Sequence, residues 1–279
     1  MGALADRWEQ RVPLLVLAGL HYLVLGGNAS WDAVDDALEE HADFLRRFVA
    51  EQPVQTNEVQ RCWVLLPPFL HAVGSAEVHV VEFGASAGLN LLWDRFRYRY
   101  EAGEWGPREA PLTLSGEERR PLPRDLLSAV PVVRSRVGID LSPVDVAGAE
   151  GARLLRAFVW AGQDDRLARL DRAIEAARAD PPRLVQGDVA EALPAVLRDL
   201  PPDGIALVFQ TALFHGLTEE TRATVRALLD AAGRELAFIS AGRPRGDRRS
   251  WGLRIYRPGR EREFAGHADY HGAWLDYEL

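Results

Sequence analysis

The first 76 residues carry apolar side chains at spacings of three and four positions, which is the period of an amphipathic α-helix. Groups of such residues surround Leu17, Phe44 and Trp63. The pattern predicts three or four helices in this part of the chain and no strand before residue 77.

The last of these helical segments carries its own start and stop signals. Thr56 or Asn57 is expected to cap it, with Glu58 in its first turn, because short polar side chains satisfy the free amides of a helix start. Pro67 and Pro68 follow, and proline removes a backbone donor from a helix interior. We therefore expect the helix to bend or end at these two prolines.

From residue 78 onward short apolar runs alternate with amphipathic segments. A run at 78–83 leads into a glycine turn at 84–88 and a predicted helix at 89–93. The later elements are strands at 132–140, 184–187, 205–210 and 235–240, helices at 145–179, 189–199 and 219–232, and a hairpin at 251–256 and 262–278. This order predicts the α/β class: a doubly wound, mostly parallel, Rossmann-like sheet with a terminal antiparallel hairpin and an N-terminal helical cap.

The predicted organisation has two parts. Residues 1–76 form a helical cap or substrate lid, and residues 77–279 form the Rossmann-like domain. Within the second part, residues 98–131 are rich in proline, glycine and charge without a clear period, so we interpret them as an insertion with at most a hairpin.

Composition narrows the possible functions. The net charge is −8, and all 33 basic residues are arginine, which excludes lysine Schiff-base chemistry and a P-loop lysine. Dispersed arginines on an acidic chain argue against nucleic-acid binding. The single Cys62 excludes an intrachain disulfide and fits a reducing compartment. The apolar stretch at 12–27 is too short to span a membrane, so we expect a cytoplasmic protein that binds a small molecule.

The residues with the clearest chemical meaning follow the predicted strands. Glycines after the first strand let the backbone approach a ligand closely, and Asp140 and Asp188 follow the second and third strands. In a doubly wound sheet, ligands bind beyond the carboxyl ends of the strands, where an acid after the second strand suits a ribose diol. Asp188 would then accept from an adenine amine. Each feature alone is common as a turn or a helix cap.

Taken in order, these features resemble the class I S-adenosylmethionine-dependent methyltransferase fold over residues 78–279. The resemblance implies S-adenosylmethionine as cofactor and a methyl-transfer reaction. The residues it brings to the cofactor are Glu82, Gly84, Ala85, Ser86, Gly88, Asn90, Asp140, Leu141, Asp188 and Gln210. One departure from the usual glycine triplet is Ser86 at its middle position, where its side chain crowds the cofactor or bonds to it.

A second resemblance covers most of the chain and is more specific. The sequence resembles an uncharacterised bacterial family known as domain of unknown function 2332. The motifs that carry the resemblance are QTNEVQR at 55–61, EFGASAGLNL at 82–91, GIDLSPVDV at 138–146, FVW at 158–160 and RL at 166–167. The resemblance supports the methyltransferase-like fold and leaves the substrate open.

Candidate substrate-binding and catalytic residues come from three places in the chain. A polar cluster, Gln55, Asn57, Glu58 and Arg61, is either a capping box with a solvated face or a group that faces the ligand, and the resemblance favours the ligand. In the second case Gln55, Asn57 and Arg61, together with Trp160, contact the substrate, and Glu58 takes part in catalysis.

His215 follows the fourth predicted strand and is the candidate general base, since its ordinary pKa lies near neutrality. The alternative is a capping or packed histidine.

Two rival functions remain open. Residues 84–88 also satisfy the G-x-S-x-G nucleophile elbow of α/β-hydrolases, in which Ser86 would act with Asp203 or Asp247 and with His267 or His271. The other rival is a binding protein that keeps a methyltransferase fold without catalysis. We expect no metal site, because His267 and His271 lack a third nearby ligand.

Overall fold

The computed structural model describes residues 2–242 and 250–279, with side chains from residue 11 onward. In that part the helices are α1 (Gly2–Leu25), α2 (Val34–Glu40), α3 (Ala42–Glu51), α4 (Arg61–Val73), α5 (Ala149–Ala157), α6 (Asp164–Ala179), α7 (Val189–Asp199) and α8 (Glu219–Asp230). The strands are β1 (Glu77–Phe83), β2 (Arg97–Tyr100), β3 (Gly103–Trp105), β4 (Thr113–Ser115), β5 (Glu117–Glu118), β6 (Val132–Asp140), β7 (Arg183–Gln186), β8 (Ile205–Thr211), β9 (Leu236–Gly242), β10 (Ser250–Tyr256), β11 (Glu263–Asp269) and β12 (Trp274–Tyr277).

The chain forms two compact units. The first comprises Met1–Asn57 and Val144–Ile174, and the second comprises Glu58–Pro143 and Glu175–Leu279. In the first unit α1 packs against α3 and α5. Leu15, Ala18, Phe48 and Phe158 form a buried cluster there. The predicted role of residues 1–76 as a substrate lid stays a prediction.

The prediction of three or four helices before the first strand is confirmed, since α1–α4 precede β1, which begins at Glu77. The predicted start of the last helix is wrong. It begins at Arg61, and the cap residue Gln60 forms no side-chain cap hydrogen bond. The side-chain amide of Gln60 donates instead to the carbonyls of Ser115 and Gly272, at 2.8 and 3.2 Å. These tertiary bonds hold the helix start in place of a local cap.

The helix does not end at Pro67 and Pro68, because α4 continues to Val73, and a bend at these prolines stays a prediction. Pro67 has no N–H for the carbonyl of Trp63, four residues earlier. The hydroxyl of Tyr100 donates to that carbonyl at 2.5 Å. A buried acceptor that the proline leaves open is therefore satisfied by a side chain from β2.

The large sheet is mostly parallel and confirms the α/β class. Its nine strands lie in the order β5-β12-β11-β10-β9-β8-β1-β6-β7. β7, β6, β1, β8 and β9 run parallel, and β10, β11 and β12 continue antiparallel. Apolar residues of α7 and α8 share a buried cluster with one face of the central strands. On the other face Phe69 of α4 contacts Phe209 of β8, with ring centroids 5.1 Å apart.

The segment 98–131 holds more structure than the predicted hairpin. β2 and β3 form the hairpin, β4 adds to β2 in parallel to make a second, three-stranded sheet, and β5 joins the large sheet beside β12. The aromatic side chains of Tyr98 and Trp105 are buried in this segment. These buried side chains give the segment an apolar core, which its high content of charged residues did not indicate.

Two other predicted elements are divided. The helix expected at 145–179 is α5 and α6, and Gly162 between them has φ of +83°, a conformation that ends helical geometry. The strand expected at 262–278 is β11 and β12. The carboxylate of Asp269 accepts from the amides of His271 and Ala273, at 2.7 and 3.2 Å, and so forms a turn between the two strands.

In the described part of the chain, no helix combines the length and the apolar character needed to cross a bilayer.

Two buried tyrosines give a matched test of the packing around α4. Tyr100→Phe leaves the carbonyl of Trp63 without its partner, so we expect the free energy of unfolding to fall by about 1–3 kcal/mol. Tyr277 is also buried, but its hydroxyl has no partner among the described residues, so Tyr277→Phe should be neutral or slightly stabilising. Urea denaturation of both variants measures the difference, and equal losses would contradict this explanation of how α4 tolerates its prolines.

Candidate functional site

The candidate site lies in the second unit, at the carboxyl ends of β1, β6 and β8. β1 pairs in parallel with β6 on one side and with β8 on the other. Because parallel strands end at the same edge of a sheet, the segments that follow these three strands are neighbours.

Non-glycine residues with positive φ occur at two places in the described chain, and both are at this edge. Ser86, in the turn after β1, has φ of +52°, and Ala212, directly after β8, has φ of +65°. Such a conformation costs a residue with a Cβ about 1–2 kcal/mol, and strain of this kind clusters at functional sites. The two strained turns identify this edge as the candidate site.

The turn after β1 depends on its glycines. Gly84 and Gly88 have φ of +69° and +73°. A Cβ on Gly88 would lie 2.8 Å from the ring of Pro182, so a larger residue would clash there as well as being strained. Ser86, at the middle position of the triplet, has the left-handed conformation that usually favours glycine.

Asp140, the last residue of β6, fixes this turn. Its carboxylate accepts from the backbone amides of Ser86 and Ser142, each at 2.8 Å. One oxygen holds the turn after β1 and the other holds the start of the loop after β6. A carboxylate that accepts backbone amides is a strong local constraint, because such bonds are charge-assisted. Asp140 and Ser86, predicted to lie together, are in direct contact.

The predicted helix after the glycine turn is not an α-helix. Residues Leu89–Arg95 form 3-10 turns, with a non-helical Leu92 at φ −90° and ψ 17°. The hydroxyl of Tyr98 bonds the carbonyl of Trp93 at 2.6 Å, which fixes the end of the segment. A segment this short has little dipole, so it offers a ligand no helix N-terminus.

Glu82 is the buried acid of the site. Its neighbours Val81 and Phe83 face the cluster formed with α7 and α8, so Glu82 points to the opposite face of the sheet. The side chain is 1% exposed. One carboxyl oxygen accepts from the Asn90 amide at 3.2 Å, and the other, Oε2, has no partner among the described residues.

Burial raises the pKa of Glu82 to about 8, against the opposing effects of the Asn90 hydrogen bond and of the Arg61 charge, while Asp140 raises it further. Glu82 is therefore mostly protonated at pH 7. Asn90, predicted with Glu82 to meet the cofactor, also accepts from the thiol of Cys62 at 3.4 Å. Burial raises the pKa of that thiol well above its usual range, so Cys62 is an inert packing group.

Arg61, at the first turn of α4, is 4% exposed. Its Nε donates to the carbonyl of Tyr270 at 3.2 Å and its Nη1 to the hydroxyl of Thr211 at 3.4 Å. The guanidinium carbon lies 4.9 Å from the ring centroid of Trp251 and 4.8 Å from that of Tyr270. The sequence pointed to Arg61, but these partners, roughly 150 to 210 positions away, left no local signal.

Other predicted cofactor residues of the second unit are also at or near this edge. Asp188 caps α7 by accepting from the Ala190 amide at 2.8 Å. Gln210 is fully buried, and its amide joins Ser240 at 2.8 Å. Ala85 is buried in the turn, and Leu141, next to Asp140, is 68% exposed.

The two candidate catalytic residues differ in surroundings. Glu58 is buried, and its carboxylate accepts from the backbone amide of Gln60 at 3.2 Å. His215 is half-buried, and its Cε1 lies 3.6 Å from the place a Cβ would take on Gly242, at the end of β9. β9 is two strands from β1, so His215 lies toward the β8–β9 side of the edge.

The remaining predicted substrate residues, Gln55, Asn57 and Trp160, belong to the first unit. Gln55 is buried, and the side-chain nitrogen of Asn57 is buried without a partner among the described residues. Trp160 is 53% exposed and lines an apolar pocket of this unit with Trp31, Leu17 and His21.

Two of the described hydrolase candidates, Asp203 and His267, lie away from Ser86. Asp203 precedes β8, at the edge of the sheet opposite to Ser86. His267 is on β11, four strands from β1, which is roughly 19 Å at the usual strand spacing. His271 follows β11, in the turn held by Asp269. Asp247 lies outside the described residues.

Among the described residues, no group of three His, Cys, Asp or Glu side chains could bind a metal ion.

Comparison with known proteins gives a family match. The model of the family DUF2332, described as an uncharacterized protein conserved in bacteria, matches residues 1–277. A search of curated proteins finds no significant match.

The protonation of Glu82 predicts a pH effect on stability. Between its ordinary pKa of 4.5 and about 8, the folded protein holds a proton that the unfolded chain has released, so this group lowers stability as pH rises. Glu82→Gln removes the effect. We expect the free energy of unfolding of the variant, relative to wild type, to increase by roughly 4–5 kcal/mol between pH 5 and pH 9.

Denaturant titrations at several pH values measure this difference, with Glu109→Gln at an exposed position as the control. Parallel pH profiles for wild type and Glu82→Gln would show that Glu82 is ionised in the folded protein.

Proposed function

The chain belongs to the bacterial protein family DUF2332, and from its own site residues we propose that it is an S-adenosylmethionine-dependent methyltransferase that acts on a small molecule. The observation that carries the proposal is the bond from the Ser86 amide to the Asp140 carboxylate. It joins a glycine turn after one strand to an acid after the neighbouring strand, which is the pairing that a nucleoside needs: close backbone approach and a partner for ribose hydroxyls.

The strand order supports this proposal. Across the sheet, the parallel strands lie in the order β7-β6-β1-β8-β9. When these five strands are numbered as they occur along the chain, the order is 3-2-1-4-5. This order supports a doubly wound, Rossmann-like sheet, in which a ligand would bind where the order reverses, here between β1 and β8. The strained turns at Ser86 and Ala212 flank that position. The antiparallel strands β10–β12 extend the sheet away from it.

The residues present fit the cofactor. Asp140 would hold the ribose hydroxyls, because its oxygens each use one hydrogen bond and can accept more. The exposed Leu141 beside it offers an apolar surface to the adenine, and Asp188 is the candidate for the adenine amine. The unpartnered Oε2 of Glu82 would meet the amino group of the methionine part. Gly84, Ala85 and Gly88 would line the turn, with Asn90 and Gln210 supporting it.

When bound, the cofactor supplies a methyl group on a positively charged sulfur. The protein's part is then to hold the acceptor in line with that methyl group, which lowers the barrier by restricting orientation. His215, toward the β8–β9 side, is the candidate that takes the acceptor's proton, and Glu58 is the second candidate near Arg61. Gln55, Asn57 and Trp160 of the first unit stay candidates for substrate contact.

One observation favours the hydrolase alternative. Ser86 has the positive φ that a nucleophile elbow requires. Its acid candidate Asp203, however, belongs to the opposite edge of the sheet, and the Ser86 amide is engaged by Asp140. We therefore rank methyl transfer first.

The direct test is isothermal titration of wild-type protein with S-adenosylmethionine and S-adenosylhomocysteine. We expect micromolar binding, and we expect Asp140→Ala to weaken it at least 100-fold, because two hydrogen bonds to a charged acceptor are lost. Asp140→Asn, which keeps one carbonyl oxygen for the backbone amides, separates loss of the ribose contact from disorder of the turn. Asp199→Ala, at a half-exposed position on the end of α7, is the matched control.

Absence of binding to folded wild-type protein would contradict the proposal. The hydrolase alternative is tested on the same samples with p-nitrophenyl acetate. If wild type hydrolyses the ester and Ser86→Ala does not, the protein is a hydrolase and the methyltransferase proposal is wrong. If wild type shows no hydrolysis and Ser86→Ala binds the cofactor as wild type does, the hydrolase alternative is wrong.

A further inference from the structure

Arg61 has more hydrogen-bonding capacity than the protein uses. A guanidinium has five N–H donors. Arg61 spends two of them, on the Tyr270 carbonyl and the Thr211 hydroxyl. Its Nη2 is buried and has no partner among the described residues. The rings of Trp251 and Tyr270 lie against the guanidinium and restrict its position, so the unused donors have a fixed direction.

The positive charge of Arg61 is also unpaired. In the described part of the chain no carboxylate lies within ion-pair distance of it, although the side chain is 4% exposed. Glu82 does not compensate the charge at neutral pH, because burial raises its pKa to about 8. A buried charge without a partner is costly, and the cost is removed when an anion binds.

The position of Arg61 points to the acceptor side of the site. Asp140, the proposed ribose partner, follows β6, on one side of β1. Arg61 bonds Thr211 at the end of β8 and contacts Trp251 of β10, both on the other side of β1. β6 and β8 are two strand spacings apart, roughly 10 Å. A cofactor with its ribose at Asp140 would leave Arg61 on the far side of β1, where an acceptor could bind.

We propose that the methyl acceptor is a carboxylic acid and that Arg61 binds its carboxylate. The identity of the ligand as a methyl acceptor rests on the proposed function. The carboxylate-binding site itself rests on Arg61 alone. One guanidinium with three unused donors matches one planar carboxylate, which it can hold through two parallel bonds. The protonated Glu82 adds a donor on the same side of the sheet and no negative charge.

The test uses formate, the smallest carboxylate, so that the shape of the unknown acceptor does not matter. The midpoint of thermal unfolding is measured against sodium formate, with sodium chloride at equal ionic strength as reference, with and without saturating S-adenosylhomocysteine. For wild type we expect a saturable rise with formate in both conditions. Arg61→Gln should weaken the response at least tenfold. Arg46→Gln, an exposed arginine of the first unit, is the control.

Arg61→Lys covers the case in which Arg61→Gln fails to fold, since it keeps the charge and loses the two-pronged geometry. It should bind formate measurably more weakly than wild type. A formate response equal in wild type and in the Arg61 variants, or no response in wild type, would overturn the inference.

A second arm separates the acceptor's carboxylate from that of the cofactor. Wild type and Arg61→Gln are titrated with S-adenosylhomocysteine and with 5′-methylthioadenosine, which lacks the amino-acid part. Equal affinities in both proteins support the acceptor assignment. If Arg61→Gln loses only S-adenosylhomocysteine, Arg61 binds the cofactor's carboxylate and the inference is overturned. If wild type binds formate through Arg61 but neither nucleoside, the methyltransferase proposal fails while the carboxylate site stands.

Discussion

The Asp140 carboxylate is the constraint on which the candidate site depends. Its two oxygens accept backbone amides from Ser86 and Ser142 and so tie the turn after β1 to the loop after β6. This tie holds the strained conformation at Ser86 through a charged acceptor. The same carboxylate has further capacity to accept hydrogen bonds, so the group that shapes the turn is also the group offered to a ligand.

Two ionisable side chains, Glu82 and Arg61, are buried where α4 covers this edge of the sheet. Glu82 and Arg61 are both almost fully buried, and each keeps one polar atom without a partner in the described structure. Burial acts on the two residues differently. It holds a proton on Glu82, whereas Arg61 is a buried guanidinium with unused donors. The result is a site rich in donors, which is a good environment for an anionic ligand.

Much of this arrangement could be predicted from the sequence. Apolar runs that end in glycine or aspartate marked β1, β6 and the turn between Gly84 and Gly88, because parallel strands are buried on both faces and leave a clear signal. The proximity of Asp140 to Ser86 followed from their positions, at the end of β6 and in the turn after β1. The 3-10 segment after the turn could not be predicted, because its end is fixed by the hydroxyl of Tyr98. The continuation of α4 through Pro67 could not be predicted either, because Tyr100 supplies the missing donor.

The surroundings of Arg61 were beyond local prediction for the same reason. Trp251 and Tyr270 reach it only through the antiparallel strands that follow β9, and the raised pKa of Glu82 comes from burial that a sequence does not state. The roles of Gln55, Asn57 and Trp160 depend on the ligand, and they stay predictions.

The most direct measurement is a crystal structure of the protein with S-adenosylhomocysteine, in which the distances from the Asp140 carboxylate to the ribose hydroxyls are read. This account predicts both hydroxyls within about 3.2 Å of that carboxylate, with the sulfur on the β8 side of β1. A nucleoside bound away from Asp140, or crystals that exclude it at saturating concentration, would contradict the account.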